Sequence, residues 1–174
     1  IDNGMFHFAK WLEAVEFDQE YIVKVTPSVD MVVLEIDGWG YLRLRYSYSG
    51  WEETKQYHWT IYMISGDRPG AGTVLYFAAL LWAYSKGDSY LKKLRLDPAG
   101  GLLACDSTLS PDAIRARARM QRDYGEYIEV MPHPDAGDIK VHRDDGTDWR
   151  RKATAEEATI WKLKEIPPWI FRFR

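Results

Sequence analysis

Between Ser65 and Lys86 the chain reads Ser-Gly-Asp-Arg-Pro-Gly-Ala-Gly-Thr-Val-Leu-Tyr-Phe-Ala-Ala-Leu-Leu-Trp-Ala-Tyr-Ser-Lys. An apolar, β-rich run, Tyr57 to Ile64, leads into it. Thr73 to Tyr84 is apolar almost all round, which marks a buried helix rather than a surface one. The Gly/Pro turn joins the two. A strand, a glycine turn and a buried helix make an anion site: glycine lets the backbone approach a ligand, and the first N–H groups of a helix lack internal partners. The residues expected to hold that anion are Gly70, Ala71, Gly72 and Thr73, with Arg68 beside them. The pattern lacks the Gly-Lys-Ser/Thr of a P-loop and the Gly-x-Gly-x-x-Gly of a dinucleotide fold.

A chain of 174 residues is long enough for one domain with a real core. Eight Trp and eleven Tyr imply an aromatic-rich core or exposed aromatic anchors. The net charge of −3 does not announce a nucleic-acid binder. From Lys140 onward, however, nine Lys/Arg stand against six Asp/Glu. Cys105 is the only cysteine, so no internal disulfide exists and a reducing compartment is the plain reading. No run of about 18 apolar residues spans a membrane. Charges throughout Met5 to Phe17 argue against a signal peptide. The chain opens on Ile1, which leaves a fragment of a longer polypeptide, a processed product or a partial chain as open readings.

In chain order, Met5 to Phe17 reads as a short amphipathic helix. Tyr21 to Val25 is a strand, Thr26 to Ser28 a turn, and Met31 to Ile36 a second strand closed by Asp37-Gly38. Tyr41 to Ser49 alternates as a half-exposed antiparallel strand. Gly50 to Lys55 is a loop. Tyr57 to Ile64, apolar on both faces, is a central strand. After the buried helix, Lys86-Gly87-Asp88 reads as a C-cap and turn, and Leu91 to Leu96 as a short strand broken by Asp97 to Gly101. Ser110-Pro111 opens a helix that runs to about Tyr124. Its apolar side is Ala113, Ala116, Met120 and Tyr124. Glu126 to Met131 is a strand. Residues 135–151 read as loop with a small strand at Ile139 to His142. Thr154-Ala155-Glu156-Glu157 is a capping box opening a last helix to about Lys164. Trp169 to Phe173 is a final strand. The order describes an α+β layer with a mixed, mostly antiparallel sheet flanked by helices. Residues 1–152 form the domain. Residues 153–174, a helix and a strand, pack on it or on a partner.

Glu35 and His58 sit in strands and are candidate bases, although Glu35 flanks a hairpin and His58 alternates with Tyr57 and Trp59. His133, between prolines, is a candidate metal or substrate contact. The four His (7, 58, 133, 142) and Cys105 show no metal-ligand spacing, so no metal is expected. Arg115, Arg119 and Arg122 fall on one helix stripe. The tail interleaves Trp149, Trp161, Trp169, Phe171 and Phe173 with cations. Together these are the features by which nucleic acid would bind.

The element order is similar to the GNAT N-acetyltransferase core. Enzymes of that family carry Gln/Arg-x-x-Gly-x-Gly/Ala between a strand and the following helix. Here the segment is Asp67-Arg68-Pro69-Gly70-Ala71-Gly72: the glycines match, and Asp67 departs from the first position. Tyr124-Gly125 resembles the Tyr before a Gly at the end of a later helix. Four blocks (70–78, 97–102, 111–120 and 131–134) resemble, in order, a GNAT-like module of large multi-domain proteins of bacteriophages and other mobile elements. The resemblance implies acetyl-CoA or another acyl-CoA as ligand. Its pyrophosphate would lie on Gly70 to Thr73, and its pantetheine arm between Tyr57–Ile64 and Leu91–Leu96. It implies an amine acceptor, Tyr124 as the acid for the thiolate, and a location in the bacterial host cytoplasm or the virion. The alternative is a non-catalytic structural or interaction module that keeps this fold within a phage particle or polyprotein.

Overall fold

The computed structural model describes residues 20–142 and 149–174. The expected helix at Met5 to Phe17 lies outside them. The chain opens as a meander: β1 (Glu20–Ser28), β2 (Met31–Ile36), β3 (Gly40–Ser49) and β4 (Gln56–Gly66), each antiparallel to the next. Alternation drives it. Tyr21, Val23, Val32, Leu34, Leu42 and Leu44 are buried on one face, while Lys24, Glu35 and Arg43 fall between them. The expected turn at Thr26 to Ser28 is instead strand, with Pro27 opposite Val32. The reversal is one step later, at Val29, whose φ is +51°.

A buried helix follows, α1 (Ala71–Trp82). The cap expected at Lys86-Gly87-Asp88 does not form. One π-helical turn, Ala83–Gly87, carries the helix on into α2 (Asp88–Lys93). Gly87 keeps a helical φ of −58°. It is glycine because a Cβ there would fall 2.8 Å from Trp59 Nε1. The strand expected at Leu91 to Leu96 is therefore the end of a helix. Leu96 N–H donates to the Leu91 carbonyl and Arg95 N–H to that of Lys92. This Schellman pattern is closed by Arg95 at φ +61°, with no glycine to signal it.

The strand that enters the sheet beside β4 is β5 (Leu103–Ala104), parallel to it. Next come β6 (Thr108–Leu109), α3 (Pro111–Asp123) and β7 (Ile128–Pro132). The Ser110 side chain caps α3 by accepting from Ala113 N–H at 3.1 Å. Beyond them lie β8 (Lys140–His142), β9 (Trp149–Lys152), β10 (Thr159–Leu163) and β11 (Ile170–Phe173). The helix expected from Thr154 to Lys164 is a correction. The capping box forms, with Thr154 N–H on Glu157 Oε1 at 2.9 Å and Glu157 N–H on Thr154 Oγ1 at 3.3 Å. It makes one turn only. Thr159-Ile160-Trp161 then runs as strand between β5 and β7, where pairing on both edges outweighs a local cap.

The main sheet has the order β11-β1-β2-β3-β4-β5-β10-β7, and β6-β8-β9 form a small second sheet. Residues 153–174 thus give two strands to the main sheet. The class is α+β with a large mixed sheet. The helices α1 and α3 share one face. Tyr76 of α1 packs on Trp161 of β10 with centroids 5.4 Å apart, and Phe77 on Tyr124 at the end of α3 with centroids 5.1 Å apart. No helix among the described residues is long and apolar enough to cross a bilayer.

Candidate functional site

β4 and β5 are paired at only two positions, Trp59 opposite Leu103 and Thr60 opposite Ala104. Past these the chains part. β5 turns away through Cys105 and Asp106 to β6, which belongs to the other sheet. At the same level β4 carries a β-bulge: Arg43 pairs with Met63 and Leu44 with Ile61, leaving Tyr62 as the extra residue. Bulges re-aim side chains and loosen the ladder where a ligand approaches. The β4 backbone from Ile61 to Ile64 has no strand partner on its β5 side among the described residues.

A cavity opens on each side of this gap. The one on the helix side, about 200 Å³, is lined by Ile61, Ile64, Tyr76, Ser110, Ala113 and Arg117, among others. The one on the opposite side, about 270 Å³, is bounded by Arg45, Ser47, His58, Thr60, His133 and Asp135. Both are bordered by Tyr62, Cys105 and Asp106. The Arg45 guanidinium lies over the Tyr62 ring, 4.0 Å from its centroid, and holds it at the rim.

The glycine turn opens α1, the helix whose Tyr76 lines the helix-side cavity. Gly70 is the N-cap in the left-handed region, φ +81°, a conformation that favours glycine. Ala71 N–H is taken by the Arg68 carbonyl and Val74 N–H by that of Gly70. Between them, the N–H groups of Gly72 and Thr73 meet no backbone acceptor among the described residues. A Cβ on Gly72 would have nothing within 4 Å, so that face is open. Tyr76, which lines the cavity, lies one turn along on the face of Gly72 and Thr73. Arg68 is exposed and stacks on Trp39, 3.6 Å from the ring centroid. Ala71 and Thr73 are buried. Asp67 is exposed, its N–H held by the Trp39 carbonyl at 2.8 Å.

In the opposite cavity, Ser47 Oγ lies 2.7 Å from Thr60 Oγ1, which lies 3.1 Å from His58 Nδ1. This chain orients the imidazole. His58 Nε2 is buried and has no hydrogen-bond partner among the described residues. Burial, helped by His133, pushes the His58 pKa down to about 4, so the ring is neutral near pH 7. His133 Nδ1 accepts the Asp135 N–H at 3.1 Å, and its ring stands 5.7 Å from that of His58. Burial lowers the His133 pKa too, against the pull of Asp135. Burial raises the Cys105 thiol, which disfavours a thiolate nucleophile. No three His, Cys, Asp or Glu among the described residues group as metal ligands.

The other expected site residues lie elsewhere. Tyr124 packs in the core against Phe77 and Trp169 and lines neither cavity. Glu35 is exposed on β2, between Lys24 and Tyr41 and two strands, roughly 10 Å, from β4. Arg115, Arg119 and Arg122 are exposed. Trp161 and Trp169 are buried, so these two tail rings are not free to stack on bases. The residue that sequence reasoning passed over is Arg117, buried on the inner side of α3 at the helix-side cavity. The signal was its place, four residues after Ala113, three before Met120 and seven before Tyr124, on the apolar stripe.

These elements define an α+β domain whose sheet opens between two parallel strands, with α1 and α3 over one side of the opening. No family model, curated protein or solved structure matches the chain.

Proposed function

We propose that this chain is a GNAT-like acyl-CoA-binding domain that transfers an acyl group to an amine. One observation supports the reading: the parallel pair β4/β5 parts after Thr60 and Ala104, and β4 then leads through the Gly70–Thr73 turn into the helix whose Tyr76 lines the helix-side cavity. A pyrophosphate on the open N–H groups of Gly72 and Thr73 gains from the helix dipole. An extended amide-bearing arm then lies along the free edge of β4, in the place a strand would take. The second strand bordering that arm is Leu103–Ala104, not Leu91–Leu96. The four blocks that resemble the module of phage and mobile-element proteins give this reading its biological setting.

In this reading the acceptor amine enters from the opposite cavity. Its nitrogen bonds to the thioester carbonyl carbon as the carbon–sulfur bond breaks. The amine gives up a proton, and the departing thiolate gains one. His58, neutral and unpartnered at Nε2, accepts the amine proton directly or through water. The backbone N–H groups at the bulge supply donors to the developing oxyanion.

The second reading, a non-catalytic module, is favoured by a specific observation: neither Tyr124 nor Glu35 borders either of the two cavities at the gap. Isothermal titration of acetyl-CoA into the purified chain separates the two. Heat with micromolar affinity is expected. Absence of heat together with absence of a thermal shift leaves the scaffold reading.

A further inference from the structure

Arg117 is 3 % exposed, and none of the ion pairs among the described residues reaches it. One Nη donates to the Thr159 carbonyl at 2.9 Å and to Thr159 Oγ1 at 3.0 Å. The guanidinium lies 4.3 Å from the Trp161 ring centroid. Tyr76 of α1 lines the same cavity as Arg117. The Arg117 Nε has no partner among the described residues. These are contacts of neutral groups, and none cancels the charge. A cation out of water without a counter-charge is costly, and arginine does not escape by losing its proton. Asp106, the carboxylate at the rim of the same cavity, is acted on by Arg45. Among the described residues the charge of Arg117 therefore faces a cavity rather than a carboxylate.

We propose that the helix-side cavity is a carboxylate-binding site whose cation is Arg117. The planar fork of arginine suits a carboxylate, which accepts two parallel bonds. The cavity, about 200 Å³, is below the roughly 300–1,000 Å³ of sites that hold whole small molecules. It fits the end of a ligand whose bulk lies outside. Resting on the acyl-CoA reading above, the carboxylate is the far end of a dicarboxylic acyl group. The chain then prefers an acid-terminated thioester, malonyl-CoA or succinyl-CoA, to acetyl-CoA.

The test compares malonyl-CoA with acetyl-CoA by titration calorimetry, and free malonate by thermal shift, on the whole chain. Wild type is expected to bind malonyl-CoA at least about ten-fold more tightly than acetyl-CoA. Arg117→Met is expected to erase that preference while leaving acetyl-CoA binding in place. Without ligand, this variant is expected to melt higher than wild type, since it removes a buried charge, so loss of fold is not the readout. Equal affinity for the two thioesters in wild type overturns the carboxylate site and leaves the acyl-CoA reading standing. A malonate shift that Arg117→Met abolishes, with no thioester bound, keeps the carboxylate site and removes the acyl-CoA reading. No binding of any of the three removes both.

Discussion

A Cβ built on Gly87 falls 2.8 Å from Trp59 Nε1, whereas one on Gly72 meets nothing within 4 Å. Both glycines sit in one continuous helical run, so alanine gains helix propensity of ~1 kcal/mol at either. At Gly87 the neighbour cannot yield, because Trp59 is fully buried and held by Trp82 with ring centroids 5.0 Å apart. Overpacking of ~1–3 kcal/mol wins there, and Gly87→Ala lowers Tm. Gly72→Ala raises Tm and weakens CoA binding, since a Cβ leaning toward the helix N-terminus stands over the N–H groups a phosphate needs. A glycine kept only for the turn would show the first effect without the second. His58 belongs to this scale too. Its folded pKa of about 4 lies below the unfolded value of about 6.5. Between the two, the unfolded chain binds more protons, so this contribution is full above about pH 6.5 and lost as pH falls toward 4. The loss approaches ~3 kcal/mol. Urea titrations at stepped pH should show a flatter acid limb in His58→Asn. His133 adds a slope of the same sign, with Asp135 opposing. Arg117 was legible in principle, as a charge on the Ala113–Met120–Tyr124 stripe. The exposed set Arg115, Arg119 and Arg122 drew attention to the other face.

At the scale of elements, the sequence disclosed those with local punctuation. The meander of β1 to β4 carries period-two alternation and Asp37-Gly38, and α3 carries Ser110-Pro111. It hid those that depend on distant partners or on unusual ends. α2 was masked twice: Gly87 resembles a cap yet serves packing, and the true end is Arg95, held left-handed at φ +61°. That end makes its own prediction. Arg95→Gly relieves ~1–2 kcal/mol of steric cost against ~0.5–1 kcal/mol of added chain entropy. A net gain of up to ~1.5 kcal/mol should appear as a raised urea midpoint with an unchanged slope. The capping box at Thr154 was read as the opening of a helix; its hydrogen bonds form, but the helix does not. β10 owes its conformation to β5 and β7, which lie about 30 to 55 residues earlier in the chain. The cleft was expected between Tyr57–Ile64 and Leu91–Leu96. Only its first wall survived, because Leu103–Ala104 is two residues long and carries no strand pattern of its own.

At the scale of the molecule, β11 lies parallel to β1 while β10 sits between β5 and β7, so the last segment reaches both arms of the sheet. Truncation after Lys152 should remove the cooperative unfolding transition, leaving β5 and β7 without their shared neighbour; calorimetry would show no peak. An independently packed tail would leave one. The two arms, β11-β1-β2-β3-β4 and β5-β10-β7, are joined in the ladder by only the two residue pairs between β4 and β5. In mechanical terms that joint is a seam beside an open slot. Anything seated in the slot and bonded to both walls acts as a splint. Occupancy should therefore register as slower amide exchange along Ile61–Ile64, the wall the splint bonds to, and as a higher force to part the arms.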